Sequence, residues 1–433
     1  MTEIGDRRRA GSEPRRASSA EDARRDGPVT KQFRSGTHRA VPPADTVRRL
    51  SPIFPVLGIT RVANVTGLDI IGIPVVMVCR PNARSLSVSQ GKGLDLAAAK
   101  ASGIMEAAEL YHAERITSPL KLASYNELRF SHPLADVDGL PRLRGSTFHP
   151  GSSLLWIEAL DWLRSEPLWV PFELVHTNYT LPLPTGSGAF LTSSNGLASG
   201  NHVLEAVSHG ICEVVERDAG TLWSLLGDEA RRATRVDLGT VDDPGCRALL
   251  DRCERAAIAV AVWEVTSDVG IPAFRCMIAE RAAGGMSSIY PAAGMGCHPA
   301  RHVALMRALT EAVQSRMTMI TGSRDDMSRA EYVRRLDPEL HRRVLREIGD
   351  ERSGRSFYDA PTWEGEAFED DVRWELDRLR AAGIEQVAVV DLTKPELAIP
   401  VVRVVIPGLE GIGGIPGYVA GPRARARMME HGT

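Results

Sequence analysis

The sequence predicts an α/β protein of mixed α+β character, in which sheets are packed by helices in irregular order. Three observations predict it. Short segments rich in β-branched residues recur at 60–68, 70–78, 258–265, 273–279, 387–390 and 401–406. Three long segments, 94–115, 201–219 and 300–321, carry apolar residues at helical spacing. Strands and helices do not alternate one for one, which argues against a doubly wound parallel sheet. The chain has 433 residues, 43% hydrophobic and 25% charged, an ordinary mix for a globular protein with a large core. A net charge of −3 does not favour nucleic acid as a partner. No apolar run is long enough to span a membrane and no signal peptide is visible, so a cytoplasmic location is expected. The six cysteines form no CxxC pair and no zinc spacing, and are expected as reduced thiols.

Along the chain, residues 1–45 are rich in Arg, Ser, Gly and Pro without a hydrophobic period, and are expected to form a disordered tail. A single catalytic unit is expected over 50–433, with a subdivision at 150/151 as an option. Residues 60–68 and 70–78 (TRVANVTGL, IIGIPVVMV) read as a β-hairpin. RSLSVSQGKG at 84–93 reads as a loop, and the Ala-rich 94–115 as a helix entered from it. Residues 116–150, punctuated by prolines, read as irregular. Strands are expected at 154–158 and 168–170, and SSNGLASG leads into a second helix at 201–219. After the 300–321 helix, residues 324–379 read as charged surface helices, and 387–390 and 401–406 as buried strands.

The 201–218 segment, NHVLEAVSHGICEVVERD, is the most informative. At about 100° per residue, Glu213 and Glu216 lie roughly 80° and 20° from Glu205, and Asn201 about 40° to the other side. His209 falls on the same face. Apolar residues cover most of the remaining wheel, so the carboxylates are expected to be partly buried, where their repulsion is costly without a cation. The 94–115 helix repeats the arrangement, with Glu106 and Glu109 three residues apart and Ser102 one turn earlier. Five glutamates on two apolar helices point to Mg²⁺, which prefers carboxylates together with phosphate oxygens. The competing reading is that they are solvated and paired with Arg115 and Arg217. His209 is either an acid/base or a partner of a glutamate.

Ser89–Gly93 (SQGKG) places small residues and Lys92 just before a helix, which suits an anion, although Walker A spacing is absent. Glu311, Gln314, Arg316, Arg324 and Asp325 form a third cluster, suited to phosphate recognition or to a surface ion-pair network. Cys212 reads as core rather than as a nucleophile.

SQGKG followed by SGIMEAAE, then SSNGLASG…EAVSHGICEVVERDA, then QSRMTMITGSRDD, resembles the YcaO-domain family from about residue 50 onward. The resemblance implies a YcaO-like fold around a central ATP/Mg site. ATP and Mg²⁺ would activate a peptide backbone amide by phosphorylating its oxygen. It implies that Glu106, Glu109, Glu205, Glu213 and Glu216 hold Mg²⁺ and triphosphate. Ser89, Lys92, Ser102, Asn201, Arg217, Arg316, Arg324 and Asp325 would support the nucleotide, with Glu205, Arg217 and His209 nearest the chemistry. The chain ends PGYVAGPRARARMMEHGT, without the PxPxP tail of azoline-forming members, and leaves no room for their fused partner domain. VVRVVIPGLEG resembles stand-alone members associated with TfuA-like proteins, linked to peptide thioamidation. The implied partners are a precursor peptide, a TfuA-like protein that delivers sulfur, and a second copy in a homodimer. The alternatives are a stand-alone cyclodehydratase making an azoline or amidine, and a non-catalytic peptide-binding scaffold. Glu410, in PGLEG, is read first as structural.

Overall fold

A computed structural model describes residues 28–281, 291–335, 337–350 and 354–431. In chain order the helices are α1 Pro43–Leu50, α2 Phe54–Leu57, α3 Leu96–Glu114, α4 Tyr125–Leu128, α5 Val203–Ser224, α6 Asp228–Ala233, α7 Pro244–Arg255, α8 Arg301–Thr321, α9 Arg329–Arg335, α10 Pro338–Gly349, α11 Phe368–Ala381 and α12 Pro422–His431. Strands β1 Arg61–Asn64, β2 Val75–Cys79 and β3 Val88–Lys92 form one antiparallel sheet. A six-stranded antiparallel sheet runs β4 Leu120–Ser124, β5 Ser153–Asp161, β13 Ala388–Asp391, β14 Val401–Val405 and β7 Leu197–Ser199, with β6 Glu166–Pro171 paired to β5. Strands β9 Ile258–Glu264, β10 Ala273–Glu280 and β11 Ala292–Cys297 form a third sheet. The two-residue strands β8 Val236–Asp237 and β12 Arg355–Ser356 pair in parallel.

The expected hairpin forms over shorter strands, with Arg61 opposite Cys79 and Asn64 opposite Val76; the connection is residues 65–74, with a 3-10 turn at Thr66–Leu68, and not a short turn. SQGKG is not a loop: it is strand β3, the edge of that sheet. Its glycines let the strand lie directly on α3. A Cβ on Gly91 would stand 2.0 Å from the Ala99 carbonyl oxygen and 2.2 Å from the Gly103 nitrogen. β11 meets α8 in the same way, since a Cβ on Gly294 would stand 2.2 Å from the Ala312 nitrogen. Residues 116–150 are not wholly irregular, for they contain β4 and α4.

The N-terminal expectation is corrected in part. Residues 1–27 lie outside the described residues, but 28–45 are ordered. The Val29 amide donates to the Glu369 carboxylate at 3.1 Å. Lys31 donates to the Gly365 carbonyl at 2.9 Å and pairs with Asp371 at 2.6 Å, both side chains being buried. Phe33 and Arg39 pair across a tight strap. These partners lie more than 300 residues away in sequence, so a local hydrophobic period had nothing to report.

Helix α3 starts where the Asp95 side chain accepts the Ala98 N–H at 2.7 Å, which satisfies one of the orphan donors of the first turn. Helix α5 has buried residues around most of its circumference, as its apolar sequence requires, and packs on β14 and β7 on one side and on α11. β14 (VVRVV) is buried at every position. Two pairs of elements thus bracket the centre: α3 on β3, and α8 on β11, with α5 between them.

Candidate functional site

A cavity of about 460 Å³ opens between α3, α5, α8, β3 and the Ser35–Arg39 strap. Its wall includes Glu106 and Glu109 from α3, and Glu205, His209, Glu213 and Arg217 from α5. Lys92, Ser102, Glu311 and Arg324 also line it. The helical periodicity that puts Glu205, Glu213 and Arg217 on one face of α5 aims that face at the glutamate face of α3.

The charges fall into two groups. Glu311 is paired: Lys92 approaches it at 2.5 Å and the Met295 N–H donates at 3.2 Å. Burial works to raise its pKa, but Lys92 and Arg217 prevail and hold it at about 2. Arg217 faces Glu216 at 3.2 Å and Glu213 at 3.8 Å. Glu106 and Glu109 form no ion pair with the described residues. Glu106 accepts only the Gln90 N–H, at 3.3 Å. Glu109 accepts the Ser199 N–H at 2.9 Å and its hydroxyl at 2.7 Å. Burial pushes Glu106 up to about 7 and Glu109 up to about 8, and Glu213 repels both. Burial also raises Glu213 and Glu216, against the pull of Arg217. Neighbouring buried carboxylates with too few cations are what a divalent ion would neutralise, so this donor set fits Mg²⁺.

The remaining expected residues divide. Glu205 is held at the rim by the Ala40 N–H at 3.0 Å and the Asn201 N–H at 3.1 Å. Asn201 is off the cavity wall and accepts from Thr46 at 3.0 Å and Arg49 at 3.1 Å. Glu216 is buried behind Arg217. Ser89 is buried within β3 and does not reach the cavity. Asp325 accepts the Ser87 N–H at 3.1 Å, tying the 322–326 turn to the residue before β3. Arg324 reaches the cavity while pairing with Asp326. Arg316 is drawn elsewhere, fully buried between Asp69 at 3.0 Å and Glu280 at 2.7 Å, where it ties α8 to the neighbouring sheets. His209 Nε2 lies 2.8 Å from the Arg307 guanidinium. Burial and the nearby Arg307, Arg39 and Lys92 push its pKa well down, so the ring is neutral and Nε2 accepts from Arg307. That lone pair is therefore occupied, and His209 positions Arg307.

Glu410 is structural. Its carboxylate accepts the Tyr418 hydroxyl at 2.9 Å and the N–H groups of Gly421 and Ala424 at 2.9 and 2.8 Å. All six cysteines are free, and Cys212 is buried on α5.

Sequence reasoning missed Arg39, His38 and Arg307. Arg307 is one helical turn before Glu311 on α8, so a wheel centred on Glu311 would have found it. No local signal marks the strap. His38, His298 and Asp371 bring possible metal-ligand atoms within 4.8 Å of one another. Asp371 Oδ2 pairs with Lys31 and the Nδ1 atom of His298 accepts the Ala300 N–H at 3.0 Å, while His38 Nδ1 and Asp371 Oδ1 have no partner.

These features agree with the comparisons. A family model described as YcaO cyclodehydratase, ATP- and Mg²⁺-binding, matches residues 90–410, and the chain belongs to the YcaO family. The family binds ATP and Mg²⁺. Among relatives, a protein encoded 3′ of tfuA in Rhizobium leguminosarum bv. trifolii is 39% identical over 381 residues, covering 86% of this chain and 88% of its own. A protein of Methanothermobacter thermautotrophicus is 36% identical over 381 residues, covering 86% and 95%. The tfuA-region relative is consistent with the TfuA-associated type. YcaO from Methanopyrus kandleri, solved with AMPPCP and Mg²⁺, superposes with a TM-score of 0.70 at 22% identity, over 91% of this chain and 99% of that one. A heterocyclase solved with substrate and cofactor gives 0.75 at 23% identity over 94% of this chain, which spans only 56% of that longer protein. No helix among the described residues is long and apolar enough to cross a membrane.

Proposed function

We propose that this chain is an ATP-dependent enzyme that activates a peptide backbone amide and installs a thioamide, with sulfur delivered by a TfuA-like partner. The observation that carries the reading is the facing set Glu106, Glu109 and Glu213, half-buried together on the wall of a cavity large enough for a nucleotide. The tfuA-region relative supports sulfur as the nucleophile. Glu106, Glu109, Glu205, Glu213 and Glu216 would hold Mg²⁺, which offsets the charge of the triphosphate. Arg217 orients two of these carboxylates, and Lys92, Ser102 and Arg324 face the phosphates. Asn201 acts through Glu205, which it hydrogen-bonds.

In the reaction the γ-phosphoryl group passes to the amide oxygen and hydrosulfide adds to the amide carbon. The C–O bond then breaks, phosphate leaves with the former amide oxygen and the hydrosulfide proton, and C=S remains. The balance is amide, ATP and HS⁻ to thioamide, ADP and hydrogen phosphate.

Likeness to a heterocyclase favours azoline formation as the second reading, in which a peptide side chain replaces hydrosulfide. The test is intact mass spectrometry of the precursor peptide encoded beside this chain, incubated with the protein, Mg-ATP, sulfide and any TfuA-like neighbour. Thioamidation adds about 16 Da and azoline formation removes about 18 Da. An unchanged mass without ATP turnover overturns both in favour of a binding scaffold. Glu213→Gln is expected to abolish the change while the protein stays folded.

A further inference from the structure

One fully buried arginine makes no ion pair among the described residues. Arg403, in the middle of β14, is 2% exposed. Its Nη2 donates to the Ser193 carbonyl at 2.6 Å, while Nε and Nη1 have no partner, and no described carboxylate pairs with it. Other fully buried arginines are ion-paired: Arg80 meets Glu114 at 2.7 Å, and Arg316 meets Asp69 and Glu280, although its Nη1 has no partner. A buried guanidinium left with free donors is costly unless something outside the chain completes it. Burial draws its pKa down to about 10, against the weaker pull of Tyr179 and Glu213.

Arg403 borders a side cavity of about 40 Å³ whose wall is mostly apolar, with Leu174, Leu191, Val214 and Ile406 prominent. The acidic wall residue, Glu410, turns its oxygens to three donors from the C-terminal segment and makes no ion pair with Arg403. Asn195 shares the cavity, and its Oδ1 is also without a partner. The two cavities are lined by neighbouring residues of the same segments: Ser194 and Glu213 line the main one, and Ser193, Asn195 and Val214 the side one.

A space this small admits no peptide or nucleotide. One cation calls for one negative charge. An apolar wall offers too few donors for a strongly hydrated dianion such as phosphate and suits a small, weakly hydrated monoanion. We propose that the side cavity is the nucleophile subsite, holding hydrosulfide against the Arg403 guanidinium next to the amide-activation cavity. The assignment rests on the thioamide reading. The guanidinium favours HS⁻ over H₂S and so presents the nucleophilic form. Chloride has the same charge and similar hydration, and competes for the place.

The test is steady-state thioamidation with free sulfide as the sulfur source. Arg403→Gln is expected to raise KM for sulfide roughly tenfold, the worth of charge-assisted bonds, with KM for ATP moving less than about twofold. Arg403→Lys keeps the charge and is expected to recover part of the loss. Chloride is expected to compete with sulfide in the wild type but not in Arg403→Gln. An unchanged sulfide KM, or an equal rise in the ATP KM, overturns the proposal. Should the variants not fold, wild-type crystals soaked in bromide still decide the matter by anomalous scattering. Bromide at Arg403 is expected, and its absence overturns the subsite. Bromide there in an enzyme whose product has lost water refutes sulfide as the occupant while leaving an anion site, which separates this failure from that of the thioamide reading.

Discussion

Replacing Glu410 with glutamine removes the charge and turns one of two acceptor oxygens into a donor. Oε2 takes the Tyr418 hydroxyl and the Gly421 N–H, and Oε1 takes the Ala424 N–H. With the amide NH₂ in the less crowded Oε1 position, the Ala424 N–H becomes an unsatisfied buried donor, at about 1–3 kcal/mol. The other two bonds fall from charge-assisted to neutral, losing about 1 kcal/mol each. The sum is roughly 3–5 kcal/mol, limited by the cost of undocking the segment from Gly411 to α12. The effect should be local, because β14 and α5 keep their own packing. Amide hydrogen exchange is the assay. Protection at Gly421 and Ala424 is expected to fall by about two orders of magnitude or more, with β14 amides unchanged. Retained protection at both sites, together with lost turnover, would refute the structural reasoning and make Glu410 a catalytic group. A uniform loss across β14 would show that the clamp is part of the global core.

Two further predictions concern the cavity. Glu106 and Glu109 hold protons up to about pH 7 and about pH 8, and a protonated acid cannot ligate a metal. Mn²⁺ or Mg²⁺ affinity without nucleotide is therefore expected to rise with pH, by roughly two to three orders of magnitude from pH 6 to 8 if two protons are displaced. Titration calorimetry in buffers of different ionisation enthalpy counts those protons, and a pH-independent affinity would remove both residues from the metal set. Gly91→Ala is expected to cost about 1–3 kcal/mol in urea unfolding by forcing β3 off α3. Lys92→Ala should leave stability nearly unchanged and weaken ATP binding, and an unchanged ATP affinity would leave SQGKG a purely structural strand.

The sequence was legible where one helix supplies the relation. Glu205, His209 and Glu213 share a face because residues on a helix have fixed angles, and Glu106 and Glu109 share another for the same reason, whereas Glu216 and Asn201, expected on the first face, lie off the cavity wall. It was not legible where the relation is between distant segments. Arg316 and Arg307 sit on the same helix α8, and charge alone made Arg316 the candidate. Only the packed fold shows that Asp69 and Glu280 consume Arg316 while Arg307 turns to His209 and the cavity. SQGKG failed for a different reason. Glycine permits close approach to any neighbour, and the letters do not say whether that neighbour is a phosphate or a helix. Here it is the backbone of α3.

The strap at Ser35–Arg39 shows how far this limit reaches. Its composition is that of a tail, yet Ala40 caps Glu205 and His38 and Arg39 line the cavity. What holds it is a few hydrogen bonds and the Lys31–Asp371 pair rather than an apolar face. Such contacts leave no periodic trace, because their geometry comes from α11 and not from the strap itself. The same holds for Arg403. In the string VVRVV it interrupts a strand that reads as buried, and β14 is buried at every position, Arg403 included. Arg403 is neither exposed nor ion-paired among the described residues, which is why the side cavity, and not a surface partner, is where the nucleophile is sought.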